Sequence, residues 1–122
     1  MGLALAVGGA GAVGAVARYL VDSWVRSRTR TPFPAGTLLV NVSGSFVLGL
    51  FAGLALTSAH TTTAKTVVGT GFCGGLTTWS TAAWETVRLA QDDSHGHAVV
   101  FTVANLVLSF LAGAAGLVIY LR

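Results

Sequence analysis

The sequence predicts an all-α membrane protein with four transmembrane helices, formed by a single domain over residues 1–122. Of the 122 residues, 53% are hydrophobic and only 9% are charged, whereas a soluble domain usually has about a quarter of its residues charged. The charges also cluster, which leaves four long neutral stretches. Each stretch is close to the roughly 20 apolar residues that a helix needs to cross a bilayer core.

The four predicted spans follow one another with short connections, so little chain remains for a separate soluble domain. The first span has no basic region before its apolar run and three more spans follow it, so we expect a membrane helix rather than a cleaved signal. Short connections make neighbouring helices antiparallel and place both termini on one side. The spans run from Met1 to about Trp24, from Gly36 to Ala59, from Thr66 to Trp84 and from Ala98 to Leu121.

Glycines crowd the spans, and the chain has 16 of them, including those of "GGAGAVG" at Gly8 to Gly14. Small residues let membrane helices approach closely, so most of these glycines are expected to serve packing. The third span differs, because "GFCGGLTTWST", Gly71 to Thr81, mixes glycines with hydroxyl side chains. We expect the glycines to break this helix and to turn backbone carbonyls inward, where they would bind a cation.

Polar side chains form a stripe on two of the predicted spans. Thr37, Asn41 and Ser45 are four residues apart on the second span, and Asn105 and Ser109 repeat the spacing on the fourth. An asparagine in hydrocarbon is costly unless its amide finds partners. Hydrogen bonding between helices would explain a single Ser or Thr, but two stripes that each contain an asparagine favour a polar pathway.

The stripes contain no Asp or Glu, although proton-coupled export usually needs a titratable group within the membrane. Asn, Ser and Thr donate hydrogen bonds without a fixed negative charge, which suits a small anion. Arg18, at the end of the first span, either adds positive charge near a pore mouth or extends to the membrane interface. The stripes alone therefore indicate a pathway for a small hydrogen-bonding solute.

Other classes of function find little support in the sequence. The histidines His60, His95 and His97 lie in or beside connections, so an enzyme is not expected. The single cysteine, Cys73, excludes an internal disulfide and a multi-cysteine metal site. The net charge of +3 comes mostly from connections, which is typical of membrane topology or lipid contact rather than of nucleic-acid binding.

Four segments of the chain resemble the Fluc fluoride channels, also called the CrcB family. They are "GGAGAVGAVARY", "GTLLVNVSGSFVLG", "GFCGGLTTWST" and, more loosely, "NLVLSFLAG", one in each span. The resemblance implies a multi-pass protein of the prokaryotic cell membrane that conducts fluoride passively out of the cytoplasm and so reduces its toxicity. It also implies an antiparallel, dual-topology dimer, in which two subunits insert in opposite directions. A small proton-coupled multidrug exporter is the rival class, but that family depends on a first-span glutamate, which this chain lacks.

The resemblance also implies the residues of the site. A structural sodium ion, which is not transported, would lie at the dimer interface and bind backbone carbonyls of Gly74 and Thr77. The residues implied to line the fluoride pathway are Asn41, Trp79, Ser80, Thr81, Ser109 and Arg18.

The chain departs from the family pattern at three positions. The usual T-T-F-S-T-F motif has Trp79 at its first phenylalanine and Ala82 at its second, and Asn105 stands where a tyrosine is usual. Trp79 keeps an aromatic ring edge, whereas Ala82 removes a ring. A non-conducting or partly degenerate partner subunit therefore stands as the alternative to a conducting subunit.

Basic residues predict one preferred orientation. One face carries five of them and the other two, and orientation follows this balance in short connections. The connections after the first and third spans are then cytoplasmic and both termini are outside. A chain with one orientation cannot form an antiparallel dimer alone, so we expect a heterodimer with a homologous subunit that supplies the ring missing at Ala82; a homodimer that tolerates the bias is the alternative. The two sets are Arg18, Arg26, Arg28, Arg30 and Arg88 against Lys65 and Arg122.

Overall fold

The computed structural model describes residues 1–58 and 62–121, and within these ranges the chain is helical with no strand. Helix α1 is Gly2–Arg28 and α2 is Ala35–Thr57. A helical run over residues 62–76, here α3, is π-helical in its middle part, Lys65–Cys73. Helix α4 is Trp79–Gln91, and α5 is His95–Leu121. This order confirms the all-helical prediction.

The helices α1, α2 and α5 are each long and apolar enough to cross a membrane. The third predicted span is divided instead, because the helix stops after α3 and restarts at α4. Neither piece reaches the roughly 20 residues of a continuous span. Within residues 1–58 and 62–121, the structure thus contains three uninterrupted helices long enough to cross a membrane and a broken segment at the third predicted span. Ala59, the predicted end of the second span, lies outside the described residues.

The ends of the helices differ from the predicted ends for local reasons. Helix α1 continues past Trp24 to Arg28, where basic side chains in the last turn interact favourably with the helix dipole. The Thr29 hydroxyl donates to the Val25 carbonyl at 3.0 Å and so closes this end. A tight turn then joins α4 to α5, with Asp93 at a φ of 56°, a conformation that aspartate tolerates better than most side chains.

Glycines bring the helices into backbone contact, as expected. A Cβ atom on Gly14 would overlap the Phe72 carbonyl, and one on Gly75 would overlap the Gly11 carbonyl, so α1 and α3 touch directly. The long α2 and α5 helices meet in the same way, where a Cβ on Gly49 would overlap the carbonyl of Gly113. Close approach of this kind stabilises helix pairs in lipid, where hydrophobic exclusion is absent.

The break lies within Gly71 to Thr81, as predicted, but the glycines do not form it. Gly71 and Gly75 remain helical and pack against α1, whereas the extended residues are Thr77 and Thr78. The expectation that glycine itself breaks this helix is therefore wrong. These glycines are needed for contact with a neighbouring backbone, and the threonines supply the hydrogen bonds that an interrupted helix requires.

Candidate functional site

Two threonines end one helix and begin the next. Thr77 and Thr78 are extended, with φ/ψ of −78°/158° and −153°/122°. The N–H and hydroxyl of Thr77 both donate to the Cys73 carbonyl, at 2.9 and 2.8 Å. The Thr78 hydroxyl accepts from the Thr81 N–H at 3.2 Å, as a helix N-cap does. The Thr78 hydroxyl therefore partners an N–H that the break would otherwise leave free, whereas the Thr77 hydroxyl adds a second bond to a carbonyl that already accepts from the Thr77 N–H.

Asn41 of α2 holds the break from the other side. Its Oδ1 accepts from the Thr78 N–H at 2.7 Å, and its Nδ2 donates to the Thr78 carbonyl at 3.0 Å. The same Nδ2 donates to Oδ1 of Asn105 at 2.9 Å. Because the Thr78 N–H needs an acceptor, this orientation of the amide is fixed. Asn41 is only 6% exposed, and both of its amide hydrogens are used inside the chain.

Asn105 and Ser109 carry free hydrogen-bond donors next to the contacts between Asn41 and Thr78. The side-chain oxygen of Asn105 accepts from Asn41, so its NH₂ group is left over, and within residues 1–58 and 62–121 it has no hydrogen-bond partner. The Ser109 hydroxyl oxygen is buried and, in the same part of the chain, also has no partner. The two residues are one turn apart on α5, so their donors lie on one face.

Asn105 and Ser109 are among the residues that line a groove of about 340 Å³ beside the break. Trp79 forms part of its wall and is 76% exposed, so its ring lies at the open side. The structure therefore brings together three of the predicted pathway residues in one groove. They are Asn41, Trp79 and Ser109.

Ser80 and Thr81 do not line this groove. The Thr81 hydroxyl accepts from the Thr78 hydroxyl at 2.9 Å, and the Ser80 hydroxyl lies 3.5 Å from the same oxygen. The three side chains form a small hydroxyl cluster at the first turn of α4. Five of the six predicted pathway residues are thus divided between a groove and an adjoining cluster, which meet at Thr78, whereas Arg18 belongs to neither and contacts the Thr77 carbonyl.

The carbonyls predicted to bind sodium are both freed from regular helical bonding. The Thr78 N–H, which would bond the Gly74 carbonyl in a continuous helix, donates to Asn41 instead. The Thr81 N–H, which would bond the Thr77 carbonyl, donates to the Thr78 hydroxyl. Arg18 reaches the Thr77 carbonyl with its Nη1 at 3.4 Å, so a cationic group already faces one of these oxygens.

The surroundings of Gly74 and Thr77 suit oxygen ligation rather than a side-chain metal site. A Cβ atom built on Gly74 meets nothing within 4 Å, so this part of the break is open. In the described part of the chain, no group of three or more His, Cys, Asp or Glu side chains could hold a metal ion. Backbone carbonyls suit hard cations, and a site built from them needs no such group.

Ala82 lies beside a second cavity, of about 310 Å³, which is mostly apolar. Trp79, Phe101 and Asn105 also contribute to its wall. Ala82 is buried and packs with Phe101 in the small core between α4 and α5. The missing ring therefore leaves open space next to the polar groove.

The sequence analysis missed a charged cluster at the end of α1. Arg26 makes ion pairs with Asp22 at 2.7 Å and with Glu85 at 2.6 Å, and together they line a cavity of about 300 Å³. The sequence predicts for Arg26 only an influence on membrane orientation. The position of Glu85 at the end of an apolar span was the one available signal, because a carboxylate there needs a partner.

A protein-family model and several known proteins match most of this chain. Residues 5–117 match the protein-family model described as "CrcB-like protein, Camphor Resistance (CrcB)". The chain is 48% identical over 117 residues to "Fluoride-specific ion channel FluC 1" of Leifsonia xyli subsp. xyli, an alignment that covers 96% of this chain and 84% of the relative. It is 42% identical over 120 residues to "Fluoride-specific ion channel FluC" of Sulfurovum sp., with 98% and 94% covered.

Proposed function

Because this chain belongs to the CrcB family, we propose that it is a subunit of a fluoride-specific ion channel. Membership of a channel family confirms that the chain is not an enzyme and that it is a multi-pass protein of the cell membrane. The observation that carries the proposal is the pair of free donors, Asn105 and Ser109, in a groove beside a broken membrane helix.

The groove offers what a small anion needs on leaving water. Fluoride gives up strong hydrogen bonds from water on entering a membrane, so a pathway must replace them with protein donors. The Asn105 NH₂ group and the Ser109 hydroxyl are one helical turn, about 6 Å, apart along α5. Successive donors at this spacing let the anion pass from one site to the next without binding either too tightly. The ring edges of Trp79 and Phe110, which also line the groove, carry partial positive charge.

Asn41 acts on this pathway by positioning rather than as an anion donor. Both of its amide hydrogens bind inside the chain, so donation to fluoride would cost one of these bonds. By occupying the Asn105 carbonyl oxygen, Asn41 directs the Asn105 NH₂ group towards the groove. By pairing both backbone groups of Thr78, it keeps the break open.

The sodium ion proposed for this channel is structural and binds the carbonyls of Gly74 and Thr77. Support comes from the loss of helical donors to both oxygens and from the open space at Gly74. Arg18 Nη1 donates to the Thr77 carbonyl at 3.4 Å, so sodium would share this oxygen with the guanidinium or displace it. Sodium holds the break and is not transported, so its removal weakens assembly rather than changing the conducted ion.

The proposed functional unit is an antiparallel dimer, which would cover the open side of the groove at Trp79. The five-to-two imbalance of basic residues favours a heterodimer with a homologous subunit, although Arg122, one of the two opposing residues, lies outside the described residues. In the proposed orientation, fluoride leaves the cytoplasm passively, down its gradient.

The alternative, a non-conducting or partly degenerate partner subunit, is supported by the cavity beside Ala82. If a ring is required there for conduction, this chain contributes only assembly and the partner's pathway carries the ion. The two functions differ in whether removal of this chain's own donors changes fluoride flux.

Fluoride efflux from proteoliposomes tests the proposal. The purified chain is reconstituted alone and together with a co-expressed homologous subunit of opposite charge bias, and chloride efflux is the control. We expect rapid fluoride efflux without chloride efflux in at least the mixed preparation. Absence of fluoride efflux from both preparations, with the dimers intact, would refute channel function. Efflux that is unaffected by Ser109→Ala in this chain would instead support the non-conducting alternative.

A further inference from the structure

Arg26, at the end of α1, makes ion pairs with two acidic side chains. The Arg26 Nη2 group donates to Glu85 Oε1 at 2.6 Å, and its Nε donates to Asp22 Oδ2 at 2.7 Å. The Glu85 side chain is only 5% exposed, whereas Arg26 is 53% exposed. A largely accessible cation thus neutralises a carboxylate that is almost entirely buried.

The neutralisation of Glu85 depends on this single contact. In the described part of the chain, the second oxygen of Glu85, Oε2, is buried and has no hydrogen-bond partner. Asp22 also has a buried unpartnered oxygen, Oδ1, which lies against Gly36 at the start of α2. Two acids share the Arg26 guanidinium, while Arg88, which lines the same cavity, pairs with Asp92 instead.

Glu85 lies on the same buried face as Thr78, the last residue of the break. The buried residues of this segment are Thr78, Ala82, Glu85 and Leu89, which recur at helical spacing and so share the inner face. Glu85 is seven residues beyond Thr78, which is about 10 Å along the helix. Ala82 and Leu89 on this face pack in the core between α4 and α5, and Glu85 lines the same cavity as Arg26. The Glu85 charge therefore acts on an ion in the groove through space, from the far end of this face.

We propose that Arg26 is a positioning residue for anion passage, which acts by keeping the Glu85 carboxylate from repelling the anion at this end of the pathway. The inference rests on the proposed channel function. Without Arg26, the Glu85 charge is left uncompensated about 10 Å from the break. At an effective dielectric constant of about 20, that charge slows an anion roughly tenfold.

Four variants test the inference in the fluoride-efflux assay, with the co-expressed subunit present if the wild type needs it. Arg26→Gln frees the buried acid, and Arg26→Gln combined with Glu85→Gln removes both charges. Arg88→Gln is the matched control, because Arg88 lines the same cavity but its nearest acid, Asp92, is exposed and 3.8 Å away. Arg26→Lys keeps the positive charge. Dimer assembly is measured for each variant by size-exclusion chromatography.

We expect Arg26→Gln to lower fluoride efflux roughly tenfold, while Arg88→Gln and Arg26→Lys stay near wild type. The double variant should recover most of the efflux lost in Arg26→Gln. Equal efflux from Arg26→Gln and Arg88→Gln would overturn the inference. An assembled double variant that does not conduct would also overturn it, even if Arg26→Gln alone fails to assemble, because Arg26 would then act independently of Glu85. A wild-type dimer without fluoride efflux would contradict the channel function itself.

Discussion

Replacement of Asn41 provides the most direct test of how the break is held. Asn41 makes three hydrogen bonds, two to the backbone of Thr78 and one to Asn105. Asn41→Ala removes all of them and leaves the Thr78 N–H without its acceptor, although Thr78 is only 7% exposed. Hydrogen bonds between membrane helices contribute about 0.6–2 kcal/mol each, so the loss should be roughly 2–6 kcal/mol.

Asn41→Asp separates the two functions of the amide. A carboxylate still accepts from the Thr78 N–H, but it cannot donate to the Thr78 carbonyl or to Asn105, so two oxygens face a negative group. The backbone stays partly held while the Asn105 amide loses its fixed orientation. We therefore expect both variants to abolish fluoride efflux, with Asn41→Asp retaining more dimer than Asn41→Ala.

The assay combines fluoride efflux with dimer yield and thermal unfolding in detergent. Ser43→Ala is the matched control, because Ser43 lies on the same helix and its hydroxyl donates only to carbonyls within that helix, those of Leu39 and Val40. It should leave efflux and unfolding unchanged. Wild-type efflux from a purified Asn41→Asp dimer would refute the proposed role of Asn41 at the break. An unchanged unfolding temperature for Asn41→Ala would refute it as well.

Further changes test the packing, the ion site and the orientation. Gly75→Ala places a Cβ atom on the Gly11 carbonyl and should destabilise the fold by about 1–3 kcal/mol. Gly74→Ala should not destabilise it, because a Cβ atom at Gly74 has no neighbour within 4 Å. Equal unfolding temperatures for the two variants would contradict the packing role of Gly75. Thr77→Ala keeps the proposed sodium-binding carbonyl and should lower efflux less than Gly75→Ala does. Replacement of sodium by a large organic cation throughout purification should reduce fluoride efflux. Efflux that does not change on that replacement would exclude the sodium site. Ser109→Ala should reduce efflux without loss of dimer, since the hydroxyl has no partner within the described residues. Terminal tags on this chain expressed alone should be labelled from outside only; labelling on both sides together with full conduction would defeat the heterodimer.

The parts of the fold that depend on local composition could be predicted from the sequence. Apolar length locates the membrane helices, and the mixture of glycine and threonine locates the break to within a few residues. The sequence could not show which residue type forms the break, because a glycine that packs against another backbone looks the same as one that interrupts a helix. Only the contact of Gly75 with α1 separates the two cases.

The roles of the polar residues depend on contacts between distant parts of the chain. Asn41 was expected to donate to the anion, but its donors bind Thr78 and Asn105, which are 37 and 64 residues away. The free donor is consequently the Asn105 amide, which appeared in the sequence only as a member of a stripe. Glu85 and Arg26 likewise are 59 residues apart, so their pairing left no local pattern.

The departures at Ala82 and Asn105 form one structural change, which bears on whether this chain conducts. Both residues line the same apolar cavity of about 310 Å³, so both replace a larger ring at one place in the fold. A degenerate pathway would be expected to lose donors together with rings. Here Asn105 keeps an amide in contact with Asn41, and its free NH₂ group joins the unpartnered Ser109 hydroxyl on one face of α5. The retained donors therefore favour a conducting subunit whose pathway lacks one ring over a subunit that serves assembly alone.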